Sequence, residues 1–173
     1  EGHTVTNGAG WVQINAGLDN TRMSSSHAYL HPLIRSRDNL EIRTNCWVSK
    51  VAIEQGRATG VEYLTPDILT HDTVRARREV ILSAGAIDTP KLLMLSGVGP
   101  GDHLQEFGIK TQVDSPGVGS NLDDHVEGIV QWRARQPMVT RSTQWWEIGL
   151  FATSVEGLDR PDLMMHYGSV PFD

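Results

Sequence analysis

Cysteine occurs once in the 173 residues, at Cys46. A single thiol excludes an internal disulfide and leaves no cysteine cluster for a structural zinc. It suits a reducing compartment, and a cytoplasmic location is expected. Basic residues are in the minority: 15 Lys and Arg face 21 Asp and Glu, for a formal net charge of −6. A general nucleic-acid binder needs a basic surface to meet phosphate, so no nucleic-acid partner is expected. The one basic cluster, Arg75-Ala76-Arg77-Arg78, is short and precedes an apolar run, which reads as a solvated strand edge. Long hydrophobic runs are missing too. Nothing approaches the roughly 20 apolar residues that cross a bilayer, and no membrane span is expected. The chain opens Glu1-Gly2-His3-Thr4, without Met and without the basic-then-apolar pattern of a signal peptide. It therefore starts either after processing or inside a longer protein. Aromatic residues are few, yet five Trp outnumber three Phe, and two of the Trp are adjacent.

What is present describes a globular chain. Hydrophobic residues make up 39% and glycine adds 17 residues, enough to bury a core. The length fits one domain or pieces of two. Residues 10–15 alternate weakly and predict a short strand. Residues 21–30 predict a helix that ends before His31-Pro32, although Ser24-Ser25-Ser26 weakens it. Residues 39–44, 48–54 and 59–64 predict strands, with a hairpin turn at Gln55-Gly56-Arg57 and a break at Pro66-Asp67. Residues 73–77 predict an edge strand. Residues 79–83 are mostly apolar and predict a buried strand. Ala84-Gly85-Ala86 then permits close backbone approach. Asp88 or Thr89 is a candidate helix cap with Pro90 near the first position, residues 91–95 form the helix body, and Gly97 and Gly99 end it. Residues 114–119 form a Pro/Gly-rich connector. Residues 126–135, 144–151 and 163–167 predict strands, and around the Trp pair a helix fits the periodicity as well. No internal repeat or low-complexity segment is present.

Three constellations carry candidate chemistry, each with a plainer alternative. The strand–turn–helix unit at residues 80–99 fits contact with a nucleotide cofactor at a helix N-terminus. It also fits simple packing, and it is neither a GxGxxG loop nor a P-loop. In Asp123-Asp124-His125-Val126-Glu127, a strand would put His125 and Glu127 on one face. That arrangement serves acid–base chemistry or cation binding, or else the carboxylates are simply solvated at a strand start. The cluster lacks metal-ligand spacing, so no metal is expected there. Trp145-Trp146 is either core or an aromatic wall, and an indole face attracts a quaternary ammonium that Glu127 would attract by charge. His166, in Met164-Met165-His166-Tyr167, is either a satisfied histidine in a Met-rich strand or a polar contact in an apolar pocket. Cys46 reads as a buried strand residue.

Gly85-Ala86-Ile87-Asp88-Thr89-Pro90-Lys91-Leu92-Leu93-Met94-Leu95-Ser96-Gly97-Val98-Gly99 resembles the second signature of the glucose–methanol–choline (GMC) oxidoreductases. The likeness continues through Val113-Asp114-Ser115-Pro116-Gly117-Val118-Gly119, Asn121-Leu122 and Asp124-His125, and includes Asn39-Leu40, residues 48–51 and Gly60-Val61. It covers nearly the whole chain. Within the family, Gln136-Pro137-Met138-Val139, the segment 142–149, Gly157-Leu158-Asp159-Arg160-Pro161-Asp162 and the segment 163–173 resemble the choline oxidases. Choline dehydrogenases share Gln144-Trp145-Trp146 and diverge after it.

The resemblance implies a mixed α/β fold, α+β in character: part of a GMC-type FAD-binding domain plus part of an antiparallel-sheet substrate domain. The implied segments are residues 1–15 (end of a substrate-domain segment), 16–124 (FAD-binding) and 125–173 (start of a further substrate-domain segment). It implies an FAD enzyme that oxidises an alcohol, with choline as substrate and molecular oxygen or another electron acceptor as partner. The products would be betaine aldehyde and glycine betaine. A homodimer is compatible with this reading. Carried over residue by residue, Val48 meets the adenine through its backbone, and Ser83, Ala84 and Gly85 lie near the ADP part of FAD. Glu127 faces the trimethylammonium, Trp146 walls its pocket, His166 positions the substrate, and His125 sits near the active site. His125 and His166 are thus the candidate catalytic residues. Two local departures bear on loop geometry: Val126 stands where choline oxidases have Pro, and Asp123 replaces a common Gln. The family's GxGxxG loop, its FAD-linking histidine and its C-terminal His and Asn are absent from the chain. A central fragment, inactive by itself, is therefore expected. The rivals are another GMC alcohol dehydrogenase or oxidase, and a non-catalytic module that keeps the fold.

Overall fold

The computed structural model describes residues 6–19, 21–34, 36–65, 68–133, 135–136 and 146–168. In chain order the elements are β1 (Gly8–Trp11), a π-helical turn (Ser26–Leu30), β2 (Trp47–Glu54), β3 (Arg57–Thr65), β4 (Ile68–Arg75), α1 (Gly85–Leu95), β5 (Val98–Gly99), α2 (Gly101–Glu106), β6 (Val113–Asp114), β7 (Trp146–Ala152) and β8 (Leu163–Gly168). They fall into two compact units. One is Ile42–Glu127; the other joins Glu1–Glu41 to Gly128–Asp173.

In the unit Ile42–Glu127, β2, β3 and β4 form an antiparallel sheet in that order. The β2–β3 hairpin closes at Gln55 and Gly56, both at positive φ (53° and 77°), the geometry that matches strand twist in a two-residue loop. The third strand begins at Ile68, earlier than residue 73, and stands at the sheet edge as expected. Its terminal Arg75 makes an exposed ion pair with Glu54 at 3.5 Å, so this part of the basic cluster is a solvated edge.

Helix α1 packs on β2. The joint is Ser96, only 2% exposed. The Val51 N–H donates to Ser96 Oγ at 2.8 Å, and the Ser96 hydroxyl donates to the Leu92 carbonyl at 2.6 Å. Val51, Leu92 and Leu104 form the apolar core around it, and Leu104 of α2 is 1% exposed. Ser96→Ala leaves the buried Val51 amide without its acceptor. The expected loss is about 1–3 kcal/mol of stability, read as a lower urea midpoint of the full-length protein at unchanged m-value. A midpoint equal to wild type would remove Ser96 as the joint.

Beyond α1 the chain turns at Gly97 (φ +85°), whose N–H donates to the Met94 carbonyl at 2.9 Å. It then forms β5, which pairs in parallel with β6. Asp114 of β6 accepts the Gly101 N–H at 2.9 Å and so places a carboxylate at the start of α2.

In the second unit, β1, β7 and β8 form an antiparallel sheet in that order. The loop between β7 and β8 is tied by Asp162, which accepts from the Ser154 N–H (2.7 Å) and the Ser154 hydroxyl (2.6 Å). These bonds hold the Asp162 carboxyl below its ordinary range.

Several elements depart from expectation. The first strand is Gly8–Trp11, not 10–15, because β7 is its partner and Trp11 pairs with Ile148. Residues 21–30 hold only one π-helical turn, since the serines before it cap and turn the chain instead of extending a helix. Residues 39–44 form no strand, and Cys46 is half-buried just before β2 rather than inside a strand. Residues 79–83 are apolar like a fully paired strand, but no described strand pairs with them and Ile81 is 77% exposed. Helix α1 starts at Gly85, before Pro90; its N-cap position is Ala84, whose N–H donates to the Thr89 hydroxyl at 3.1 Å from within the helix. Residues 126–133 also lie in no strand. The break at Pro66-Asp67, the segments 137–145 and 169–173, and the first five residues lie outside the described residues.

Candidate functional site

Val48 and the start of α1 belong to one unit. Val48 lies in β2 opposite Tyr63 and is 37% exposed. Next to it, the Trp47 ring carries the Lys91 ammonium at 5.7 Å from its centroid. Since Trp47 meets Lys91 and Val51 meets Ser96, β2 and α1 run in the same direction. The Val48 end of the strand therefore lies level with Lys91, near the middle of the helix. Ser83, Ala84 and Gly85 lead into that terminus and are exposed. Gly85 has φ +90°, and a Cβ there would meet nothing within 4 Å, so open space adjoins its backbone. The first-turn amides of a helix have no intrahelical acceptor and suit a polar or anionic group. An open cavity of about 510 Å³ lies beside Val48, lined by Asn45, Cys46, Trp47, Leu64 and Thr65.

His125 and Glu127 lie at the end of the same unit, both exposed. The His125 N–H donates to Asp124 Oδ1 at 2.8 Å, and the Asp124 N–H donates to Asp123 Oδ1 at 2.9 Å. These carboxylates turn the local backbone. The shared face expected from strand alternation is absent, because the segment is not a strand.

Trp146 and His166 lie in the other unit. Trp146 opens β7 opposite Gly168, and His166 of β8 stands opposite Gly149. The register thus sets Trp146 two positions from His166 along the shared ladder. His166 is exposed, not a satisfied core histidine. Trp145 lies outside the described residues, and Trp146 is placed by its backbone.

One polar network escaped the sequence reading. Arg43 Nη1 donates to the Tyr63 hydroxyl at 2.7 Å, and that hydroxyl donates to Asp72 Oδ2 at 2.8 Å. Its bond to Asp72 holds the Tyr63 phenol above its ordinary range and Asp72 below. The network ties β3 to β4 and to the segment before β2. The only sequence signal was a lone Arg in a stretch read as a strand.

Residues 2–127 match the family model described as GMC oxidoreductase. The chain belongs to the GMC oxidoreductase family. The expectation drawn from residues 85–99 holds. This GMC chain is 55% identical to choline oxidase of Arthrobacter globiformis over 173 residues, 99% of the chain and 32% of that protein. It is 40% identical to the oxygen-dependent choline dehydrogenase of Rhizobium rhizogenes over 169 residues, 84% of the chain and 30% of that protein. It therefore spans about a third of the length of the curated relatives it matches. Among solved structures it is similar to pyridoxine 4-oxidase from Mesorbium loti, with TM-score 0.79 and 29% identity over 94% of the chain and 32% of that structure. It is also similar to an FAD-dependent oxidoreductase from Chaetomium thermophilum, with TM-score 0.58 and 33% identity over 64% of the chain and 19% of that structure. The mixed α/β class with antiparallel sheets is that of a GMC oxidoreductase. No helix among the described residues is long and apolar enough to cross a membrane.

Proposed function

We propose that the protein is an FAD-dependent oxidase that converts choline through betaine aldehyde to glycine betaine with oxygen as acceptor. The supporting observation is 55% identity to a choline oxidase over 99% of the chain. Two features of the chain suit such a cofactor: Gly85 has open space beside its backbone, and α1, which packs on β2, begins with first-turn amides free of intrahelical acceptors. Val48 would hold the adenine through its main chain, and Ser83, Ala84 and Gly85 the ADP portion. FAD, when bound, supplies the acceptor for the hydride that leaves the alcohol carbon.

The chain's own part in the reaction is to hold a cation. A trimethylammonium has no N–H to donate, so charge and an aromatic face must recognise it. Glu127 supplies the charge and Trp146 the aromatic wall. His166 positions the hydroxyl end, and His125 is the second candidate catalytic residue that the family resemblance implies. In this reading residues 16–124 are the FAD-binding segment, flanked by substrate-domain segments 1–15 and 125–173. The single free thiol supports a cytoplasmic setting.

Oxygen uptake by the purified full-length protein tests this reading. Choline is expected to give flavin reduction and one hydrogen peroxide per oxygen consumed, and betaine aldehyde is expected to continue the uptake. Uptake on another alcohol with none on choline would overturn it.

A further inference from the structure

His27 lies in the π-helical turn Ser26–Leu30, and His31, four residues on, is its C-cap. Their ring centroids lie 5.3 Å apart with the planes tilted by 31°. Both side chains are exposed. The turn is held at both ends: the His31 N–H donates to the Ser26 carbonyl at 3.0 Å, the Ala28 N–H to the Ser24 carbonyl at 2.8 Å, and the His27 N–H to Ser24 Oγ at 3.2 Å. Positions four apart on a helical turn are neighbours on one face. A π-helical turn is an uncommon conformation that recurs at functional sites.

We propose that His27 and His31 bind one divalent transition-metal ion, of the Cu²⁺, Ni²⁺ or Zn²⁺ class, through their two imidazoles. Imidazole is a preferred ligand of these metals. Two imidazoles on one tetrahedral ion, each nitrogen about 2 Å from it, place their ring centroids about 5 Å apart. The observed centroid spacing of 5.3 Å is of that size.

Among the described residues no three His, Cys, Asp or Glu side chains stand together as a ligand set. The site therefore supplies two ligands and leaves the other positions to water. That makes it open and exchangeable, unlike a closed four-ligand structural zinc site. Neither Cys46 nor the His125 cluster signals a metal; histidines four apart on one turn are a separate signal.

Calorimetric titration of the full-length protein with Cu²⁺ alone tests the site. One specific ion is expected, with affinity lowered about tenfold or more in both His27→Ala and His31→Ala. His103→Ala, on α2, is expected to bind like wild type. Electron paramagnetic resonance of the Cu²⁺ form should show two coordinating imidazole nitrogens in wild type and one in either variant. That readout separates lost coordination from lost folding. Absence of binding, wild-type affinity in either single variant, or an unchanged nitrogen count would overturn the proposal.

Discussion

Glu127→Gln in the full-length protein is expected to raise KM for choline by about 10- to 100-fold. For the neutral isostere, in which carbon replaces the quaternary nitrogen, KM is expected to stay within about threefold. Glutamine keeps the length, planarity and most of the hydrogen bonding of glutamate and removes only the charge. A trimethylammonium has no N–H to donate to either side chain, so the lost term is Coulombic and falls on the charged substrate. The ammonium keeps its charge through the hydride transfer, so the attraction is similar in ground and transition states. The change should therefore appear in KM more than in kcat. Steady-state oxygen uptake with both alcohols measures it. Equal KM changes for the two would show that Glu127 shapes the pocket rather than holding a cation.

The second large effect is structural. Gly97→Ala is expected to destabilise the full-length protein by about 2–5 kcal/mol. Two costs combine. The backbone sits at φ +85°, where a side chain is strained. A Cβ would also lie 2.5 Å from the Lys110 carbonyl oxygen, 2.8 Å from Gln112 Cγ and 3.2 Å from the Gln112 nitrogen. The main-chain atoms among these cannot retreat, because the Gly97 carbonyl accepts the Gln112 and Val113 amides at 2.8 and 3.1 Å. Gly108 is the internal control: its φ is +68°, but a Cβ there meets nothing within 4 Å. Gly108→Ala should cost about 1 kcal/mol, the conformational part alone. Urea denaturation of both variants separates the two contributions. Equal losses would mean that the Lys110 contact does not decide the cost.

Local chemistry was legible from the sequence wherever it decides the structure. Gln55-Gly56 between two apolar runs read correctly as a hairpin, because a two-residue turn at positive φ has few alternatives. The helix over residues 85–95 was legible too, although its start was placed too late. Its N-cap position is Ala84, which offers no capping side chain, and the Ala84 N–H is met by the Thr89 hydroxyl inside the helix, which no end-signal rule anticipates. Residues 79–83 and 126–133 show the limit: an apolar or alternating pattern reports the burial a segment suits, not the partner that provides it. The candidate site divides the same way. Ser83, Ala84 and Gly85 are contiguous, and their place before α1 follows from the strand–turn–helix pattern. Glu127 and the Trp pair were linked by their chemistry alone, and His166 joined them only through family resemblance, since no local spacing relates residues so far apart in the chain.

The open run at residues 79–83 has a consequence for handling the polypeptide. Val80-Ile81-Leu82 is short, β-prone and uncharged, with no described strand laid against it. Such a stretch is adhesive toward copies of itself. Arg77, Arg78 and Glu79 stand directly before it and Asp88 follows soon after, so fixed charges flank the sticky stretch. Charges so placed oppose self-association of segment 79–83, which gives the Arg cluster that carried no nucleic-acid signal a bearing on colloidal behaviour.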